Sequence, residues 1–255
     1  MHTRSQNSRP FNACNGFTLV ELLVSITILV VLAALSFSVI RKSIDSSKTS
    51  RSISNLHQIY IGIGSWSAEN NMRFPINYKS NAFGGASKPK AEIAAIWYEA
   101  AGRNIYADLY QKTSAAGLPW MWGSKFANGY EQTVFRSPNA ENGYSRTIAS
   151  YGYNSAFQRT DDPTLQMTVI SVDPSRFNAS KTGLIADNSG KTHSLSADGD
   201  AGNASINARN GASGPFKRDG KATVAFLDGH VELISYHRAK QLNNDRNNPF
   251  WGTAP

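Results

Sequence analysis

The sequence predicts an α+β fold: one long N-terminal helix, its first half embedded in a membrane, packed on a head domain with an antiparallel sheet. Three observations carry that expectation. Residues 17–40 form an apolar run whose only charge is Glu21. No proline occurs between Phe17 and Pro75, so nothing in the covalent chain forces a helix begun there to stop. Near the far end, Asp228-Gly229 separates two alternating apolar runs, the pattern of a β-hairpin.

Taken in order, the first 16 residues hold Arg4 and Arg9 and no acid, a short basic leader. The 24 residues from Phe17 to Ile40 then make ~36 Å of helix, enough to cross a bilayer core with some tilt. Glu21 is the anomaly. An ionisable group inside such a segment is costly and implies a use. A secretory signal ending near Ala34-Leu35-Ser36 would need a shorter apolar stretch without an acid at its start. A plain membrane anchor accounts for the length but leaves Gly16-Phe17 and Glu21 without a role.

Gly16-Phe17-Thr18-Leu19-Val20-Glu21-Leu22-Leu23 resembles the cleavage and methylation signal of type IV prepilins and type II secretion pseudopilins. The resemblance implies that a prepilin peptidase cuts after Gly16 and N-methylates the new first residue, Phe17. Glycine lets the backbone enter a tight peptidase cleft in extended form. Phe17 offers a flat apolar body at the membrane interface while the new amine stays wet. Glu21 lies one helical turn from that amine on the same face, where its carboxylate can neutralise the amine of its own chain or of a neighbour. Because a lone buried charge costs several kcal/mol, pairing with a neighbour favours one axial stagger between subunits. On this reading Glu21 is a register device for assembly and not an acid catalyst.

Arg41, Lys42 and Lys48 follow the apolar run, within reach of lipid headgroups. Residues 41–75 read as an amphipathic extension, with Ile53, Leu56, Ile59, Tyr60, Ile63 and Trp66 recurring at spacings of three or four. That stripe should pack against the head. Gly62 and Gly64 each cost ~1 kcal/mol relative to alanine and weaken the last turns. Asn55–Ile59 and the later Arg73-Phe74-Pro75 resemble the helix end of pseudopilin-like proteins. Many pilins carry a proline within the membrane helix; this chain has Ser36 and Ser38 there.

Residues 76–255 form the expected head. After a Gly/Asn/Lys/Pro loop at 76–90, residues 91–101 read as a short helix stopped by Gly102, and 104–114 as a second. The aromatic segment 118–126 reads as a packed loop or, alternatively, as a platform for a ligand. Strands are expected at 132–135, 148–153, 165–172 and 183–186. Residues 187–220, rich in Gly, Asn, Ser, Ala and Asp, form a long loop that is either mobile or organised from outside its own sequence. In the hairpin, a two-residue Asp228-Gly229 turn would set Phe226 opposite Val231 and Val224 opposite Leu233 on an apolar face.

This hairpin resembles the H-x9-DG module found at the C-terminus of prepilin-like proteins. Arg218 stands where the module has its histidine. Ser137, in Phe135-Arg136-Ser137-Pro138, stands where relatives often carry a cysteine, and with Cys14 the only cysteine a disulfide is excluded. Tyr151-Gly152-Tyr153-Asn154 also fits the family. Some pseudopilins bind calcium in a late loop; Asp187, Asp198 and Asp200 offer carboxylates, but their spacing matches no EF-hand, and no metal or cofactor is expected. The net charge of +8 is scattered, without the basic stripe that nucleic acid would require. His193, His230 and His237 sit in no nucleophile, metalloprotease or phosphate-loop motif, so the chain does not read as an enzyme. The resemblance implies a structural subunit whose partners are the prepilin peptidase, other pilin or pseudopilin subunits, the inner-membrane assembly platform and inner-membrane lipid. It would be anchored by a single pass, its head in the periplasm or on the surface. The alternative is a membrane-anchored binding or adhesion domain that never polymerises.

Overall fold

A computed structural model of the chain describes residues 17–72, 74–75, 97–107, 133–139, 150–159, 168–169, 177–188, 194–195, 197, 205–208 and 220–252. Helix α1 runs without a break from Leu19 to Glu69. Two compact units divide within it, between Ile44 and Asp45. In the first unit every described side chain from Phe17 to Ile40 is exposed, apolar residues all round the helix. A helix apolar on every face belongs in an apolar medium.

In the second unit, residues 45–69 of α1 are part of a globular core. Leu56, Ile59, Ile63 and Trp66 are buried, as the amphipathic stripe requires. The buried face also takes in Ser52, Asn55 and Ser67, while Ile53 and Tyr60 are only half-buried. Helix α2 (Trp97–Ile105) crosses it at Gly62. A Cβ on Gly62 would stand 2.9 Å from the Ala101 carbonyl oxygen, and Asn104 Nδ2 donates to the Gly62 carbonyl at 3.1 Å. Glycine at 62 is what lets the two backbones approach. Gly64 faces open space. The two glycines are therefore expected to respond in opposite directions. Gly64→Ala should stabilise the head by about 1 kcal/mol, through helix propensity alone. Gly62→Ala should destabilise it by about 1–3 kcal/mol, because backbone cannot yield as a side-chain tip does. Denaturant midpoints of the two variants, measured side by side, check both signs.

The head sheet has five strands in the order β5-β1-β4-β6-β7. These are β1 (Tyr151–Asn154), β4 (Gly183–Asp187), β5 (Ser194–Leu195), β6 (Lys221–Phe226) and β7 (Val231–Ser235). Four of them pair antiparallel; β5 joins β1 in parallel at the edge. A separate two-stranded ladder joins β2 (Gln158–Arg159) to β3 (Thr168–Val169). The fold is α+β. One face of the sheet meets α1 and α2 through Tyr151, Tyr153, Ile185 and Ala225. The other face meets α3 (Tyr236–Asn244) and the 3₁₀ turn Pro249–Trp251 through Ala186, Val224, Phe226 and Ile234. Strand β4 is buried at every residue and β6 at all but Lys221, as expected of strands covered on both faces.

Several expectations change at this level. Thr133–Phe135 is a turn, Arg136 N donating to Thr133 O, and not a strand. Helix α2 passes through Gly102 and ends at Ile105. The hairpin ends the sheet as β6-β7, and the chain then adds α3 and the 249–251 turn, which pack on one face of it; Ser235 caps α3 by accepting from Arg238 N.

The hairpin register is shifted by one residue. Ala225 stands opposite Val231, Val224 opposite Glu232 and Thr223 opposite Leu233. Phe226 N donates to His230 O and Gly229 N to Phe226 O, so the loop holds three residues, Leu227-Asp228-Gly229. A third loop residue with positive φ, Gly229 at 92°, is the common three-residue solution. Tyr60 of α1 explains the choice. Its hydroxyl donates to Leu227 O at 3.2 Å, and its ring lies where a Cβ on Gly229 would stand, 2.6 Å from Cε1.

Within 187–220, the described residues 205–208 are held by partners outside their own segment. Ile206 is gripped by Asn243 of α3, whose Oδ1 accepts from Ile206 N and whose Nδ2 donates to Ile206 O, both at 3.1 Å. Asn207 N donates to Asp187 O. The 76–90 loop, the first turns of the 91–101 helix, residues 108–114, the 118–126 aromatic segment, Gln132, residues 148–149, 165–167 and 170–172, Asp198, Asp200, His193 and Arg218 lie outside the described residues.

Candidate functional site

The chemistry-bearing candidate is the start of α1. Thr18 caps the helix. Its Oγ1 accepts from Glu21 N at 3.2 Å, while Glu21 Oε2 accepts from Thr18 N at 2.9 Å and from Thr18 Oγ1 at 2.8 Å. This is a reciprocal capping box, in which two otherwise unpartnered amide donors are satisfied by the two side chains. The sequence carries the signal for it, Thr-x-x-Glu before an apolar run, beside the pairing of Glu21 with an amine at Phe17. The box and the amine reading are compatible: it holds the carboxylate at the helix start, one turn from residue 17. Phe17 itself is 76% exposed. Gly16 lies outside the described residues.

Further along the apolar run, polar side chains satisfy themselves within the helix. Ser25 Oγ donates to Glu21 O, Thr27 Oγ1 to Val24 O and Ser36 Oγ to Leu32 O, each within 2.6–2.8 Å. Bonded back to their own helix, these three hydroxyl donors are satisfied without any outside partner. With Ser36 so placed, α1 stays helical where many pilins carry their proline.

A second cluster lies under the head. Ser52 Oγ and Tyr151 OH share a hydrogen bond of 2.9 Å, and Thr223 Oγ1 donates to Ser52 Oγ at 3.1 Å. Asn55 Nδ2 donates to Arg136 O at 3.1 Å and reaches Tyr151 OH at 3.4 Å. Thr223 N donates to Asp187 Oδ2 at 2.8 Å. Burial, reinforced by the negative charge of Asp187, pushes the Tyr151 phenol well above its ordinary range, so it stays neutral as a hydrogen-bonding group. This polar seam fixes which face of α1 meets β1, β4 and β6, a positioning role. Asp187, one of the three candidate calcium carboxylates, is fully buried and committed to the backbone of β6.

Around the hairpin tip, Asp228 Oδ1 accepts from His230 N at 3.1 Å and contacts His230 Nδ1, and the His230 ring stacks on Phe226 at 4.2 Å. These contacts account for Asp228 and His230 as loop structure. Tyr151-Gly152-Tyr153-Asn154 has a packing role at each position. Tyr151 meets the seam, Gly152 admits Leu195, and Tyr153 stacks on Trp97 at 6.0 Å. Asn154 Nδ2 donates to Gly183 O and Phe250 O, tying the 249–251 turn to the sheet. Ser137 is buried, its Oγ accepting from Asn139 N at 3.4 Å.

Residues 11–37 match the family model described as the prokaryotic N-terminal methylation motif. No curated protein and no solved structure matches the chain. The match spans the residues just before Phe17, the capping box and most of the apolar run. The chain thus carries a prepilin-type cleavage and methylation signal continued by a long helix, the mark of a pilin-like precursor. That signal points to processing by a prepilin peptidase, and to a structural subunit in preference to an enzyme. The helix is long and apolar enough for a single membrane pass by length and composition.

Proposed function

We propose that this chain is a pseudopilin or minor-pilin-like subunit, cut after Gly16, N-methylated at Phe17 and assembled into a type II secretion or type IV pilus-like fibre. The observation that carries the reading is continuity. The methylation motif opens a helix that runs on, unbroken to Glu69, into the core of an α+β head. In this reading residues 1–16 are the leader, 17–40 the inner-membrane span, 41–75 the extension and 76–255 a head in the periplasm or on the surface. The peptidase, the assembly platform and sister subunits are the partners. Glu21, held by Thr18, meets the amine of a neighbouring Phe17 and sets the stagger.

The direct test is the mass of the N-terminal peptide of the mature protein, isolated from cells with a prepilin peptidase. A peptide beginning with N-methylated Phe17 is expected. A start near Phe37 would identify a secretory signal and sink the proposal. An intact leader would leave the non-polymerising anchored domain as the better account.

A further inference from the structure

We propose that residues 41–51 of α1 bind anionic phospholipid headgroups, making the edge of the apolar span a lipid-selective contact. The inference rests on reading residues 17–40 as lipid-embedded; it needs neither cleavage nor fibre assembly. Arg41, Lys42, Lys48 and Arg51 fall within eleven residues that hold one acid, Asp45. All four cations are exposed, and none forms an ion pair among the described residues. At 100° per residue, Arg41, Lys48 and Arg51 share an arc of about 80°, with Lys42 on the adjoining face. The residues between them are mostly small hydroxyls, Ser43, Ser46, Ser47, Thr49 and Ser50, which leave the cations accessible. Two of these are turned back on the helix, Thr49 to Asp45 O and Ser50 to Ser46 O.

The occupant follows from position and charge. The cationic run begins directly after Ile40, so the first surface it meets beyond the hydrocarbon is the phosphate layer. Arg41 lies 4.7 Å over the Phe37 ring, an aromatic–cation pair of the kind that sits at a membrane interface. Lys48 and Arg51 rise ~10–15 Å above Arg41 along the helix. Their long stems and a Debye length of about 10 Å keep them within the field of an anionic surface. A zwitterionic headgroup offers each cation a phosphate with a competing choline or amine beside it. Phosphatidylglycerol offers the phosphate alone.

The test uses the full chain carrying Cys14→Ser and Ser47→Cys, with a fluorophore at position 47, in phosphatidylcholine vesicles containing phosphatidylglycerol. Trace nitroxide-labelled phosphatidylglycerol is compared with trace nitroxide-labelled phosphatidylcholine as quencher. Local enrichment of the anionic lipid by about fivefold or more is expected, the scale set by one cation near such a surface. It should shrink as salt is raised and vanish in the R41Q/K42Q/K48Q/R51Q variant, whose head unfolds at the unchanged midpoint. Equal quenching by both lipids, or a preference that survives the four substitutions, overturns the proposal. Failure of the unsubstituted protein to float with the vesicles would overturn the membrane reading of 17–40 itself. An unmethylated or uncut N-terminus with lipid selectivity intact would count only against the fibre reading.

Discussion

Leu56→Ala is expected to lower the stability of the head by about 2–5 kcal/mol, whereas Leu35→Ala in the same helix should change it by less than about 0.5 kcal/mol. Both leucines occupy one unbroken helix of 51 residues. Leu56 is fully buried in the core formed with Ile59, Trp97, Tyr151 and Tyr153. Leu35 is 63% exposed, in the apolar half. Truncating Leu56 removes transfer free energy and leaves a cavity that the close-packed core, with its aromatic rings on α2 and β1, cannot collapse to fill. Truncating Leu35 takes nothing from the head core. Equilibrium unfolding in detergent, followed by the fluorescence of the buried Trp66, Trp97 and Trp251, measures the difference. Equal losses at the two positions would show that residues 45–69 are not part of the head core.

The second expected result concerns Glu21. Both Glu21→Gln and Glu21→Ala should leave peptidase cleavage intact and reduce incorporation into fibres by two orders of magnitude or more. The capping box makes the pair informative. Glutamine can still accept from Thr18 N and so preserves the cap, but it carries no charge. Alanine loses both. If the carboxylate answers a neighbour's amine in an apolar bundle, removing it leaves that amine buried and unpaired, a cost of about 3–5 kcal/mol, and the two variants fail alike. If the role of Glu21 is only to start the helix, Glu21→Gln behaves as the parent and Glu21→Ala loses about 1 kcal/mol of helix stability. Fractionation of sheared fibres, with the mature N-terminal mass as the cleavage control, separates the outcomes. Restoration of assembly by glutamine would refute the charge-register role.

Much of this was legible along the chain. The apolar run from Phe17 to Ile40, the stripe from Leu56 to Trp66 and the Asp-Gly turn are local signals, carried by contiguity or by a fixed period. Strand β1 and strand β4 were anticipated to within a few residues for the same reason. The strand expected at 132–135 fails because a short segment with three β-forming side chains, Thr133, Val134 and Phe135, fits a turn as well as a strand. Only long-range pairing would distinguish them, and here the backbone turns, Arg136 N donating to Thr133 O. Gly102 is a local stop signal, yet α2 continues through it because tertiary packing against α1 outweighs a cost of about 1 kcal/mol.

The sequence by itself determined the membrane-length helix, the processing signal from Gly16 to Glu21, the α+β class and the site of the hairpin. Each is written in neighbouring residues. Tertiary structure alone decided the three-residue loop and its register, since Tyr60 of a distant helix occupies the space beside Gly229. It also decided that β4 and β6 are covered on both faces, that Gly62 admits α2 while Gly64 admits nothing, and that Ser52 and Asn55 face inward. The bond from Thr223 to Ser52 joins residues 171 apart in sequence. A polar residue on an apolar stripe signals its burial only when its partner is known, and that partner is brought to it by the fold.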